Sequence, residues 1–114
     1  MLINEYEIVI KKSKFIGMLY EINDETDVKS IINNLKLEHP KAKHFPYAYI
    51  IGPKQGKTDD KEPHNTAGIQ IYNQLIYNNL DHHLIVIIRY FGGIKLGASN
   101  LLRAYLDVAK NVIK

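Results

Sequence analysis

Apolar and polar positions alternate at the start of the chain. Between Glu5 and Lys11, Tyr6, Ile8 and Ile10 fall on one side, and Glu7, Val9 and Lys11 on the other, the period of a half-buried strand. Phe15 to Ile22 repeats that period after the basic stretch Lys11-Lys12-Ser13-Lys14, so the two segments read as a hairpin. Asp24-Glu25-Thr26-Asp27 then offers an N-cap and first-turn acids. Val28, Ile31, Ile32 and Leu35 follow at helical spacing until Pro40 closes the element. Tyr47 to Ile51 reads as another strand, bounded by Pro46 and Gly52-Pro53. The next 14 residues, PKQGKTDDKEPHNT, have almost nothing to bury and read as a long loop of the functional or disordered kind.

Residues 67–80 carry two patterns. Ile69 and Ile71 alternate, whereas Ile69, Tyr72, Ile76 and Leu80 share one helical face; length, and Thr66 as an N-cap, favour the helix. LIVII at 84–88 has no polar interruption, as a strand covered on both faces should. The last helix starts near Ser99 and turns Leu101, Tyr105, Val108 and Val112 inward, with Lys110 and Lys114 at its negative pole. The order β-β-α-β-α-β-α predicts an α+β two-layer sandwich with helices on one sheet face.

Composition narrows the class. A chain of 114 residues suits a single domain, residues 1–114, and 46% hydrophobic residues suffice for one core without metal or disulfide staples. The absence of cysteine excludes disulfides, thiolate catalysis and Cys-type zinc sites. The N-terminal segment lacks a signal-peptide layout, and the longest apolar run is far too short to span a bilayer. The expectation is a cytoplasmic protein with no membrane partner. A net charge of +3 and a pI near 9.0 are compatible with nucleic acid without being diagnostic of it. The densest basic spot, Lys11 to Lys14, reads as a solvated hairpin turn or a contact surface.

Candidate chemistry concentrates after the buried strand. Gly92-Gly93-Ile94-Lys95-Leu96-Gly97-Ala98-Ser99 has the glycines and serine of a phosphate loop, but Ala98 replaces the lysine that contacts the β and γ phosphates. A Walker-type ATPase is therefore excluded. Two readings remain: glycines serving sharp turns and close packing, or a weaker anion site built from helix N–H groups, Lys95 and Arg89. An arginine ending a buried strand needs a partner, and Asp60 or Glu62 could supply it structurally. Asp59, Asp60, Glu62 and His64, with His44 and His82-His83 elsewhere, could chelate a cation or act as acid and base, yet their spacing matches no metal motif. No metal site, cofactor or catalytic residue is assigned. Ser13, Ser30 and Ser99 lack an elbow-like context. Tyr47 and Tyr49 share a strand face and Phe15 follows Lys14, so these aromatics offer either a base-stacking surface or core packing.

Several segments together resemble the N-terminal domain of the Impact/YigZ family. They are Ser13-Lys14-Phe15-Ile16, Ala42-Lys43-His44 with Tyr47-Ala48-Tyr49, and Asp59-Asp60-Lys61-Glu62-Pro63 followed by Thr66-Ala67-Gly68. The most specific runs from Arg89 through Gly97 to Leu101-Leu102-Arg103-Ala104-Tyr105. The resemblance covers roughly residues 3–114. It implies the ribosomal protein S5 domain 2-like fold and a helix over 67–78. It also implies a place in translation: eukaryotic members compete for an activator of an initiation-factor kinase, and nucleic-acid or translation-factor binding is the usual suggestion for bacterial members. Bacterial members typically carry a second, ferredoxin-like domain, which is expected to be absent from this chain. Three departures stand out. Lys61 replaces a family glycine, His64-Asn65 replaces Ser-Gly, and Ser99-Asn100 replaces a glycine pair after Gly97. Asn65 and Asn100 tolerate positive φ; Lys61 does so less well.

The function expected is a non-enzymatic, translation-associated binding module for RNA, the ribosome or a translation-regulating protein. Its anion-binding set is Lys14, His44, Arg89, Gly92, Gly93, Lys95, Gly97 and Ser99, beside an acidic-loop set of Asp60, Glu62 and Thr66. The alternatives are a metal-dependent phosphoester or nucleotide hydrolase and a pure protein-interaction regulatory domain.

Overall fold

A computed structural model describes all residues from Met1 to Lys114. The chain runs β1 (Leu2–Ile10), β2 (Ser13–Glu21), α1 (Glu25–Glu38), β3 (Tyr47–Ile51), β4 (Lys54–Thr58), α2 (Gly68–Tyr77), β5 (His83–Tyr90) and α3 (Ala98–Ile113). The five strands form one sheet in the order β1-β2-β5-β3-β4, with every pair antiparallel. Lys11 and Lys12 turn the first hairpin with φ of 46° and 68°, the left-handed pair that a two-residue hairpin turn requires. α1 starts in a capping box. The Asp24 side chain accepts from the N–H groups of Thr26 and Asp27, and the Asp27 carboxylate accepts from the Asp24 N–H.

β5 lies at the centre and is buried without interruption from Leu84 to Arg89. Its alternate residues serve two cores. Ile85 and Ile87, with Phe15 and Leu19 of β2, pack under Ile71 and Leu75 of α2 and Leu101, Tyr105, Val108 and Val112 of α3. Leu84, Val86 and Ile88, with Met18 and Tyr20, pack against Val28, Ile32 and Leu35 of α1.

The α+β sandwich is thus the sheet and its α2–α3 layer, as the element order implies. The expectation of all helices on one face is corrected, because α1 covers the opposite face. Two further corrections concern the polar segment and α2. The first residues of the polar segment form β4, whose side chains are mostly exposed. Its stability comes from backbone pairing with β3 rather than from an apolar face. α2 buries Ile71, Gln74 and Leu75 and leaves Ile76 47% exposed, a face rotated from the one through Ile69 and Ile76. Thr66 does not cap it: its hydroxyl donates to the Pro63 carbonyl at 2.7 Å, and the Asp59 carboxylate accepts from the N–H of Ala67 and Gly68 instead. Phe15 is fully buried, with its ring edge-on to Tyr105 at 5.2 Å, so it offers no stacking surface. No helix is long and apolar enough to cross a membrane.

Candidate anion-binding cleft

The segment between β4 and α2 is wound tightly. Asp60 and Lys61 both have positive φ, 46° and 69°, and Asn65 has 62°. Carboxylates hold the winding in place. Asp59 accepts from the Asn65 N–H as well as from the start of α2. Asp60 accepts from the Phe45 N–H at 2.7 Å, which ties the loop to the segment running beside the end of β5. That segment is itself anchored by backbone bonds between His44 and Arg89. Lys61 and Asn65 stand where the resemblance places glycines, and both keep the left-handed backbone. Ser99 and Asn100, by contrast, lie in the first turn of α3, and no positive φ is demanded of them.

This winding delivers Glu62 to the interior, where it is 8% exposed. Arg89, 5% exposed, donates from Nη1 to both carboxylate oxygens at 2.9 and 2.7 Å, a close buried pair with charge-assisted bonds. Of the two candidate partners for Arg89, the structure selects Glu62. The Tyr105 hydroxyl donates to Glu62 Oε2 at 2.5 Å. Burial first, then the adjacent Glu62 charge, holds its phenol far above the ordinary tyrosine range. His44 stands at the edge of the network, with Nε2 3.5 Å from Glu62 Oε1 and Nδ1 2.8 Å from the Asp60 carbonyl. Arg89 Nη2 reaches the Ser13 hydroxyl at 3.4 Å, and its Nε is a buried side-chain nitrogen without a partner. The guanidinium lies near two rings, 5.5 Å from that of Phe15 and 5.8 Å from that of Phe91.

The glycine loop closes the other side. A Cβ on Gly92 would sit 2.1 Å from the carbonyl carbon of Lys12, so the loop can lie against the first hairpin only with glycine there. Gly93 and Gly97 have φ of 87° and 79°. Gly97 is the N-cap of α3 and supplies no side-chain cap, so the first N–H groups of that helix have no side-chain acceptor. Between this helix start and the Glu62–Arg89 pair lies an open cleft of about 450 Å³. Lys43, His44 and Lys95 supply its polar rim, and Phe91, Leu96 and Leu101 its apolar wall.

The structure therefore brings His44, Glu62, Arg89, Lys95 and Gly97 together around one cleft, while Gly92 and Gly93 shape its loop. Other candidates lie elsewhere. Lys14 pairs across the sheet with Tyr90 on the α1 side, its Nζ 5.0 Å from that ring. Ser99 is exposed on α3 outside the lining. Thr66 and Asp60 hold the loop. No group of three His, Asp or Glu side chains is placed to hold a metal ion. The residues that sequence reasoning missed are Tyr105, Lys43, Ser13 and Phe91. Tyr105 was legible only as a core position, although a tyrosine rather than a phenylalanine there signals a buried partner for its hydroxyl.

An antiparallel five-stranded sheet with a cleft between a glycine loop and a wound acidic loop defines a small α+β domain. Residues 11–113 match the Impact N-terminal domain, and the chain belongs to that family. It is 43% identical over 104 residues to the IMPACT family member YvyE of Bacillus subtilis (strain 168), covering 89% of this chain and 48% of that protein. With the IMPACT family member YigZ of Escherichia coli (strain K12) the identity is 37%, covering 84% and 50%. The crystal structure of a hypothetical protein superposes with a TM-score of 0.92 at 32% identity, covering 96% of this chain and 56% of that one. The two-domain translational regulator Yih1 shares the fold with a TM-score of 0.60 at 18% identity, covering 98% and 45%. The chain spans about half the length of the curated relatives it matches.

Proposed function

We propose that this domain is a non-enzymatic, translation-associated binding module that holds RNA phosphate in the cleft. The observation that carries the reading is the pairing of Lys43 and Lys95, neither in any ion pair, with an uncapped start of α3 in the same cleft. Helix N–H groups, the positive end of the helix dipole and unpaired ammonium groups together favour an anion. The translational link is supported by family membership and by the description of Yih1 as a translational regulator. Arg89 takes a different part from the direct phosphate contact expected of it. Its Nη atoms are engaged by Glu62 and Ser13, so it positions the cleft floor, and Lys43 and Lys95 make the contacts. The hydrolase alternative finds less support. Asp59 and Asp60 accept from backbone N–H groups, and Glu62, the one carboxylate lining the cleft, is occupied by Arg89 and Tyr105.

The test is fluorescence anisotropy of labelled single-stranded RNA across a salt series, for wild type and Lys95→Ala. The slope of log K against log salt should be about −0.7 per phosphate contacted, and the variant should lose about one such increment. No binding at low salt would overturn the proposal.

A further inference from the structure

We infer that the cleft takes the end of an RNA chain, a terminal phosphate monoester with its adjoining nucleoside, in preference to internal phosphodiesters. The inference rests on the RNA reading above and names the part of the RNA that the site selects. The anion donors that line the cleft converge on one spot. The start of α3, a helix of 16 residues, and the ammonium groups of Lys43 and Lys95 border a single cleft of about 450 Å³, a volume in the range of sites that hold one small ligand. Lys14, which would extend a track, faces the other side of the sheet.

Charge favours the monoester. Three cationic side chains line the cleft against one carboxylate, and that carboxylate already has Arg89 and Tyr105 on its oxygens. The positive charge left over is Lys43 and Lys95. A phosphate monoester brings close to two negative charges at neutral pH, where a diester brings one. A second, independent feature of the cleft floor is the Arg89 side chain, 5% exposed, whose Nε has no acceptor. Buried donors in folded proteins are nearly always paired, and each exception calls for an explanation such as strain, a functional role or a bound water or ion. Beside the anion position the wall turns apolar. Phe91 is 48% exposed although it lies over the Arg89 guanidinium. An exposed ring next to a phosphate site suits stacking by the first base, whatever its identity.

The experiment compares oligoribonucleotides of one sequence carrying a 5′-phosphate, a 3′-phosphate or hydroxyls at both ends, each labelled at an internal position and titrated by anisotropy at fixed salt. We expect at least about tenfold tighter binding with one terminal phosphate, that preference removed in Lys95→Ala, and both affinities lowered in Phe91→Ala. Circular dichroism establishes that the variants are folded. A second lysine variant, Lys43→Ala, lies in the exposed rim and provides the same reading should Lys95→Ala misfold. Equal affinity for all three RNAs would overturn this inference and leave the RNA reading standing. No binding to any of them would overturn both.

Discussion

Removing the charge of Glu62 while keeping its shape, as in Glu62→Gln, would leave the Arg89 guanidinium inside the protein with no counter-charge. Arg89 is 5% exposed and makes both of its short bonds, 2.9 and 2.7 Å, to that carboxylate. Breaking a buried pair from one side costs about 3–5 kcal/mol, because the surviving charge is left desolvated. Arg89→Met should cost a similar amount, since it strands a carboxylate whose remaining donors are Tyr105 and His44. The informative variant is the double one. With both charges gone no ion is stranded, so the loss should be well below the sum of the singles, with a coupling of about 2–3 kcal/mol. Urea unfolding followed by circular dichroism measures all four proteins, provided the slopes agree. For a domain of this size a single replacement should lower Tm by roughly 12–20 °C. Single variants within about 1 kcal/mol of wild type, or strictly additive losses, would show that the network contributes nothing as a unit and would refute this account.

Other outcomes follow from local geometry. Lys61→Gly relieves a left-handed residue at φ 69°, a conformation costing roughly 1–2 kcal/mol, against about 0.4–1 kcal/mol of added unfolded-chain entropy. Calorimetry should show a gain of about 0.5–1 kcal/mol, and a lower Tm would contradict it. Gly92→Ala places a methyl group 2.1 Å from the Lys12 carbonyl carbon and should destabilise by at least about 1–3 kcal/mol; an unchanged melting curve would show that the loop yields freely. At alkaline pH, Tyr20 and Tyr49 are pushed up to about 12, Tyr20 mainly by burial and Tyr49 mainly by its bond to Glu25. Because these folded values exceed the unfolded value near 10, the stabilisation they carry is fully present below pH ~10 and fades as pH rises toward 12. Phenolate absorbance together with stability measured against pH checks the sign, and rising stability in that window would reverse it.

Much of this fold is legible in the sequence where side chains decide the structure. Period-two alternation marks β1 and β2, the N-cap and first-turn acids from Asp24 to Asp27 mark α1, and the inward stripe of α3 falls on Leu101, Tyr105, Val108 and Val112. β4 escapes that reading because Lys54 to Thr58 is held by its backbone, and hydropathy is blind to backbone pairing. The placement of α1 has a different cause. Its stripe shows that one face is buried but not which side of the sheet it meets. Yet the unbroken apolar run of β5 already demanded cover on both faces, a constraint that one helical layer cannot satisfy. At the site, the need of Arg89 for a partner is legible. The choice of Glu62 over Asp60 depends on two consecutive left-handed residues, Asp60 and Lys61; aspartate tolerates that backbone, but nothing in a lysine signals it. The cleft itself arises from residues far apart in the chain, so neither its volume nor the membership of Lys43 and Phe91 has a local signature.

The tie at Glu62 spans long stretches of chain. Arg89 lies 27 residues from it, Tyr105 lies 43 away, and Ser13 joins Arg89 from 76 residues off. The loop before α2, the central strand, the last helix and the first hairpin therefore meet at one point, and none of them builds the cleft alone. Opening any one of these elements breaks the buried tie that holds the others, so none is expected to open alone and ligand affinity acts as a gauge of the cooperative native state. In a urea series, binding should fade along the global unfolding curve instead of failing ahead of it. A saturating ligand should in turn raise the unfolding midpoint as the logarithm of its concentration.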